Sequence, residues 1–502
     1  MPVDVVPNQQ KPSTAALSMD SPVSTAARLG KRILAAGTIY GLTNFGTKGI
    51  NFLILPFISR YITPADFGII ALAETVAGPI GMICGLGAAT TLRRMYYDFG
   101  DDDGVRRAYV ATALRFVALS AAVIITLSCF IGPALLKQVD KSFAVPFFPF
   151  LGVAVCAAGI GQVEQTQLSL FQVQNRPGLF ALISASTFSI GILAVVALVF
   201  QFHLGALGVL TSRLIAVSCG VLAATYLTKS FISAPWHWPA LGEQLRLGLP
   251  ITLFEVVNLG LIFADRLILQ HYHPLDEVGI YSIAYTFGSL MLTLTVSLSQ
   301  VWSPLFFESA CAGETEALRK VSSSLMATLA AIACVEVVIA TPVIHIALDE
   351  RYAQAGRLIP IVVGAYLVNS FYYLFELQAM QQKRTTTIAL VTVIACVANL
   401  GLNLWLVPQW GMFGAAVSTL AAYIAQASVM YAFVRTVARK LYSSKLIIGN
   451  LAIFAVLLLL VEIPWSSTAE AYVLPAALLI AAAGLWPLGL NRVGRACRAS
   501  MA

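Results

Sequence analysis

Charged and amide side chains recur inside stretches of this sequence that are otherwise apolar, and their spacing gathers several of them onto common helical faces. Asn44, Lys48 and Asn51 stand at i, i+4 and i+7, one polar stripe around a lysine. Glu255, Asn258 and Asp265 stand at i, i+3 and i+10, with Arg266 beside Asp265. Tyr366, Asn369, Tyr373 and Glu376 share a face, as do Tyr281, Tyr285 and Ser299, while Glu74, Arg115, Glu164, Arg213 and Glu336 are isolated charges. A lysine or arginine turned into a cavity supplies fixed positive charge for an anionic group such as a pyrophosphate. A carboxylate in a low dielectric holds or exchanges a proton or a sodium ion. Plainer readings stand beside these. Asp265 and Arg266 can pair locally, Arg115 and Arg213 lie near enough to helix ends to snorkel, and tyrosine stripes also pack and anchor. Gly78, Gly81 and Gly85 share one face and read as close helix packing.

Other chemistries find no foothold. No nucleophile–base constellation, phosphate-cradling glycine loop or zinc spacing is present, and the eight cysteines form no C-x-x-C pair. No cofactor and no metal are expected. His271 and His273 sit in a short link and read as solvated. A net charge of +7 does not imply a nucleic-acid partner, because the basic residues fall in short links between apolar runs.

The elements that must carry the buried charges follow from composition. Hydrophobic residues make up 58% of the 502 and charged residues 11%, with a mean hydropathy of +0.82. Soluble domains are about 25% charged, so too few charges remain to cover a soluble surface, and lipid must cover most of it. A helix needs about 20 apolar residues to span the hydrocarbon. Runs of that kind lie near 36–58, 68–92, 108–134, 146–171, 178–200, 205–228, 247–270, 278–304, 321–346, 358–381, 386–408, 411–434, 445–463 and 471–490. The expected fold is an all-α polytopic membrane protein of about 14 transmembrane helices. Placing both termini in the cytoplasm puts 22 of the 31 Lys and Arg on that side. Only Arg60, Lys137, Lys141, Arg351 and Arg357 then lie on the other, with Lys48, Arg115, Arg213 and Arg266 inside helices.

The chain also repeats itself. Pro64-Ala65-Asp66-Phe67-Gly68-Ile69 and Ala73 to Thr75 echo Pro274 to Ile280 and Ala284 to Thr286, at an offset of 211 from Gly68/Gly279 onward. Gln174-Asn175-Arg176 echoes Gln382-Lys383-Arg384 at offset 208, and Gly205 to Gly208 echoes Gly411 to Gly414 at offset 206. Three ordered echoes with slowly drifting offsets make spans 1–6 and 7–12 two copies of one unit. An even number of spans per copy gives both the same orientation, related by a pseudo-twofold along the membrane normal. The expected organisation is a disordered tail (1–32), a six-helix bundle (33–230), a linker (231–244), a second six-helix bundle (245–440), two appended helices (441–491) and a C-terminal tail (492–502).

Asn44 to Glu74, Gly248-Leu249-Pro250, Asp265-Arg266, Gly279-Ile280-Tyr281 and Asn399 to Ala416 together resemble polysaccharide biosynthesis flippases of the Wzx type. These belong to the superfamily of multidrug/oligosaccharidyl-lipid/polysaccharide exporters, and the resemblance covers roughly residues 33–440. It implies transport of an undecaprenyl-pyrophosphate-linked oligosaccharide repeat unit across the bacterial inner membrane by alternating access, for exopolysaccharide, capsule or O-antigen. A polysaccharide polymerase, a chain-length regulator and a proton or sodium ion are the partners it implies. Lys48, Arg213 and Arg266, with Asn44 and Asn51, are then the expected contacts for pyrophosphate or an acidic sugar. Glu255, Asp265 and Glu336 are the candidates for ion coupling. A cation-coupled multidrug antiporter of the same superfamily is the alternative, disfavoured by the extra helix pair. A membrane enzyme of polysaccharide assembly is less favoured, since no outer link is long enough for a catalytic loop.

The charge asymmetry predicts sidedness. A cysteine replacing Arg60 should react with an impermeant maleimide added outside cells, and one replacing Arg94 only after permeabilisation; the opposite pattern would invert the topology.

Overall fold

The computed structural model describes residues 54–98, 103–139, 143–311, 315–441 and 449. The expected tails, most of the first span with Asn44, Lys48 and Asn51, and the two appended helices lie outside the described residues. Within them the chain is helical and contains no strand. In order come α1 (Pro64–Gly85), α2 (Ala88–Met95), α3 (Asp103–Val139), α4 (Gly152–Val173), α5 (Pro177–Val195), α6 (Gly205–Ile232), α7 (Trp238–Tyr272), α8 (Leu275–Cys311), α9 (Thr315–Ala347), α10 (Ala355–Gln381) and α11 (Thr385–Leu441). Nine of the described helices are long and apolar enough to cross a membrane, or ten counting α7, which is bent after Gly260. The long α11 breaks at Gly411 and so holds both spans expected between 386 and 434. Spans 2 to 12 of the sequence reading therefore each have a helix, and the protein is a multi-pass membrane protein.

The helices α3 to α6 pack mainly on one another and on α1, and α8 to α11 mainly on one another, while α1 and α7 each divide their contacts between the two groups. Within the first group α4 is flanked by α1, α3 and α6; within the second α10 is flanked by α8, α9 and α11. Burial sorts the helices by position: 89% of the apolar window of α10 is buried, against 11% in α5. Phe130, Leu193 and Leu222 project outward, as lipid-facing side chains do.

From Gly68/Gly279 onward the echoes are shared pieces of structure, and just ahead of them the structure gives the role of Asp66 to Glu277 rather than to Asp276. Asp66 is the third residue of α1, closing a capping box with Thr63, and its Oδ1 also accepts the Ala206 backbone N–H at 3.4 Å. Glu277, its counterpart in α8, accepts the Met412 N–H at 3.2 Å. Those two amides follow Gly205 (φ 51°) and Gly411 (φ 54°), whose left-handed backbone suits glycine. Each acidic side chain thus serves orphan donors at a helix start. Asn175 and Lys383 are left-handed as well, and the turns around them make matching bonds, Arg176 N–H to Phe171 C=O and Arg384 N–H to Ala379 C=O, both 2.9 Å.

The two groups meet where α1 crosses α8. A methyl group on Gly68 would collide with the Leu275 carbonyl, and one on Gly279 would collide with the Pro64 carbonyl. Pro64 and Leu275 are themselves repeat partners at offset 211, so the crossing lies on the pseudo-twofold. Beside it the Tyr352 hydroxyl donates to the Ile62 carbonyl at 2.6 Å, and the Tyr352 ring stands edge-on to Phe67. At the other end of α1, Gly87 abuts Gly248 of α7.

His273 departs from the solvated reading. Its Nε2 lies 2.9 Å from the Val407 carbonyl and its Nδ1 3.2 Å from Glu277, fastening the α7–α8 link to the middle of α11.

Alanine is favoured over glycine inside a helix by about 1 kcal/mol, so any effect of Gly279→Ala reports the crossing rather than helix propensity. The substitution should raise maleimide labelling of a cysteine at the buried Ile62 position. Unchanged labelling would mean that the crossing yields without separating the groups.

Candidate functional site

The small-residue faces of α1 and α4 leave a hollow. Ala77, Gly78 and Gly81 on α1 face Ala154, Ala157, Ala158 and Gly161 on α4, and α6 closes one side through Leu210, Arg213 and Val217. Leu259 and Phe263 of α7 form the wall contributed by the other group. The cavity measures about 450 Å³, within the usual ~300–1,000 Å³ range of small-ligand sites.

Its polar groups come from three helices. Arg213 Nη1 is bonded to Glu74 Oε1, joining two charges 139 residues apart that the sequence shows as isolated. Both side chains remain well exposed to the cavity, at 61% and 44%. Glu164 is buried behind them and accepts from the Thr187 hydroxyl at 2.5 Å. Gln162 and Gln165 complete the lining. Arg213 is therefore a cavity residue, as expected, but arrives with a carboxylate partner rather than as bare positive charge. The three-residue stripe of glycines packs as the sequence indicates: Gly78 against Leu259, Gly81 against Ala158, Gly85 against Gln162.

Arg266 sits elsewhere. It is buried on α7, with its guanidinium over the rings of Phe263, Tyr281 and Tyr285 at 4.7, 5.5 and 5.1 Å. Asp265 beside it is 1% exposed; its Oδ1 accepts the Arg266 backbone N–H at 2.8 Å and lies 3.3 Å from Nη1. The Tyr281 hydroxyl donates to the other carboxylate oxygen. Such a pair, stacked between aromatic faces, offsets the cost of two charges in a low dielectric.

Glu255 and Glu336 join neither cluster. Glu255 is half-buried on α7 and feels the charge of Arg93, whose Nη1 donates to Ser169 at 3.1 Å. Both carboxylate oxygens of Glu336 are buried, with no side-chain hydrogen-bond partner among the described residues. The sequence reading passed over Gln162 and Gln165; their place, one helical turn from Ala158 and Gly161, was the available signal. Among the described residues no group of three His, Cys, Asp or Glu side chains is arranged to hold a metal.

A family profile described as "Polysaccharide biosynthesis protein" matches residues 57–357. The chain belongs to the polysaccharide biosynthesis protein family. Solved structures share its fold at low identity. "Lipid II flippase MurJ, inward closed conformation" matches with a TM-score of 0.68 and 13% identity, covering 91% of this chain and 99% of that one. An inward-facing multidrug resistance MATE family transporter of the MOP superfamily matches with a TM-score of 0.65 and 12% identity, over 79% and 96%. The MATE transporter VcmN of Vibrio cholerae in its bent form follows at 0.52 and 13%, over 84% and 100%. No curated protein sequence matches the chain.

The two basic residues should respond differently to neutralisation. Arg266→Met strands the buried Asp265 carboxylate and should cost about 3–5 kcal/mol, visible as a lowered thermal midpoint of the purified protein. Arg213→Met breaks an exposed pair and should cost no more than about 1 kcal/mol. Equal losses would contradict the assigned environments.

Proposed function

We propose that this protein is a flippase that carries undecaprenyl-pyrophosphate-linked oligosaccharide repeat units from the cytoplasmic to the periplasmic leaflet. It would act by alternating access of residues 33–230 against 245–440, without catalysing a covalent step. The observation that carries this reading is a charged cavity between membrane-spanning helices of both groups, in a chain of the polysaccharide biosynthesis family. The likeness of fold to a lipid II flippase agrees with it. An apolar carrier can stay in lipid while its polar head crosses such a cavity, which removes the cost of moving that head through hydrocarbon.

We place it in the bacterial inner membrane, as the flippase reading implies; the positive-inside asymmetry supports both termini being cytoplasmic, which would put the Gly68/Gly279 crossing at the periplasmic end. Two of the three basic candidates carry carboxylate partners, Arg213 with Glu74 and Arg266 with Asp265. We therefore assign the pyrophosphate to Lys48 with Asn44 and Asn51. Glu255, Asp265 and Glu336 are our candidates for coupling transport to a proton or sodium gradient. The polymerase and the chain-length regulator would receive the product on the periplasmic side.

Deletion in the source strain should abolish surface polysaccharide and accumulate lipid-linked repeat units. Wild type should restore the polymer, and Lys48→Ala at matched membrane levels should not. Failure of wild type to restore polymer, with gain of drug efflux, would replace this reading by the antiporter. Flipping that survives collapse of both ion gradients and the membrane potential would remove the coupling.

A further inference from the structure

The two halves of the chain supply their own control experiment, because among the described residues the positions that frame the hollow in the first half are filled by packed side chains in the second. The offset of 211 carries Glu74 of α1 onto Tyr285 of α8, and the offset of 208 carries Ala158 of α4 onto Tyr366 of α10. The offset of 206 carries Val217 of α6 onto Tyr423 of α11 and Arg213 onto Thr419. In the second half those three tyrosines pack together, with ring centroids 6.1 Å apart for Tyr285–Tyr366 and 6.3 Å for Tyr366–Tyr423. All three are nearly inaccessible, at 5–6% exposure. The fold is therefore satisfied by a filled interior at this place. In the first half the same positions hold a carboxylate, an alanine and a valine around empty space.

What the hollow would hold follows from its lining. Its charged groups are one arginine and two glutamates, so the described lining is not cationic. A diphosphate entering it would meet Glu74 on the very arginine it needs, and Glu164 behind. Neutral hydroxyls meet no such opposition. Carboxylate acceptors on Glu74 and Glu164, guanidinium donors on Arg213, and amides offering both on Gln162 and Gln165 interleave around the space, which matches the paired donor–acceptor character of vicinal hydroxyls. The Phe263 ring and Leu259 of α7 supply an apolar wall for the C–H faces of sugar rings.

We infer that this cavity is a glycan subsite, which takes hydroxyl-rich sugar rings of the repeat unit on the Glu74–Arg213 pair, Gln162 and Gln165 while the diphosphate is held elsewhere. The inference rests on the flippase reading and adds to it which part of the substrate the first half grips. Because Leu259 and Phe263 belong to the other group, a bound ring also touches both moving parts.

The test uses full-length protein in lipid nanodiscs and two probes, undecaprenyl pyrophosphate and the lipid-linked repeat unit extracted from the deletion strain. Two variants are compared with wild type: the double substitution Glu74→Gln, Arg213→Gln, and Ala158→Tyr, which installs the side chain found at the matching position of the second half. Wild type should bind the repeat-unit lipid at least about tenfold more tightly than undecaprenyl pyrophosphate, as one or two net hydrogen bonds provide. Each variant that elutes as a single folded species should bind both probes alike, with its affinity for undecaprenyl pyrophosphate unchanged. Equal weakening toward both probes would make the cavity a diphosphate site and overturn the inference. So would a wild type without preference between them. Wild type that binds neither lipid would instead overturn the flippase reading beneath it.

Discussion

At Gly68 and Gly279 the backbones of α1 and α8 approach so closely that neither residue has room for a single methyl group. Most of the architecture is arranged around this one contact. It lies on the pseudo-twofold, it joins the two groups of helices at one end as the packing of α1 on α7 does further along, and the Tyr352–Ile62 hydrogen bond lies beside it. A crossing made of backbone rather than interlocked side chains can close tightly and still separate without unpicking a core, since small residues give close packing with little to disentangle. The cavity below it lies along the same helix α1, ten residues further on at Gly78 and Gly81.

Symmetry is kept where the fold needs it and broken where the substrate would sit. The acidic residues that serve the starts of the helices after Gly205 and Gly411 are preserved in kind, as Asp66 and Glu277. The left-handed turns at Asn175 and Lys383 are preserved in geometry though not in residue. Between these fixed points one half is packed with Tyr285, Tyr366 and Tyr423, and the other is emptied and charged. Arg266 lies on the boundary, stacked on Tyr285 yet next in the helix to the wall residue Phe263 by less than one turn. A charge buried that firmly is a fixed part of the second half. Arg213 is exposed, paired and able to exchange partners.

Helix positions and the repeat were legible in the sequence because both are local or near-periodic signals. Apolar runs mark spans whatever their neighbours, and the echoes at Gly68/Gly279, Asn175/Lys383 and Gly205/Gly411 each mark a backbone requirement that survives divergence. Of the site, the sequence held the residues but not their partnerships. Arg213 and Glu74 are 139 positions apart, and nothing in their own neighbourhoods marks them as a pair. The wrapping of Arg266 by aromatic rings from α8 and the anchoring of His273 on Val407 are likewise products of packing between helices. The hollow itself was written in the small residues of α1 and α4, but its emptiness shows only when the second half is laid over it.

In the proposed alternating access the two groups of helices rock against one another, parting at the α1–α8 crossing in one state and at the opposite end of α1 in the other. Distances between spin-label pairs at Arg60 and Asp276, and at Asp98 and Glu243, measured in nanodiscs with and without the extracted repeat-unit lipid, test it most directly. The account predicts two populations whose spacings change in opposite senses, the first pair widening as the second narrows. A single unchanging distance at both ends, whatever lipid is present, would contradict it.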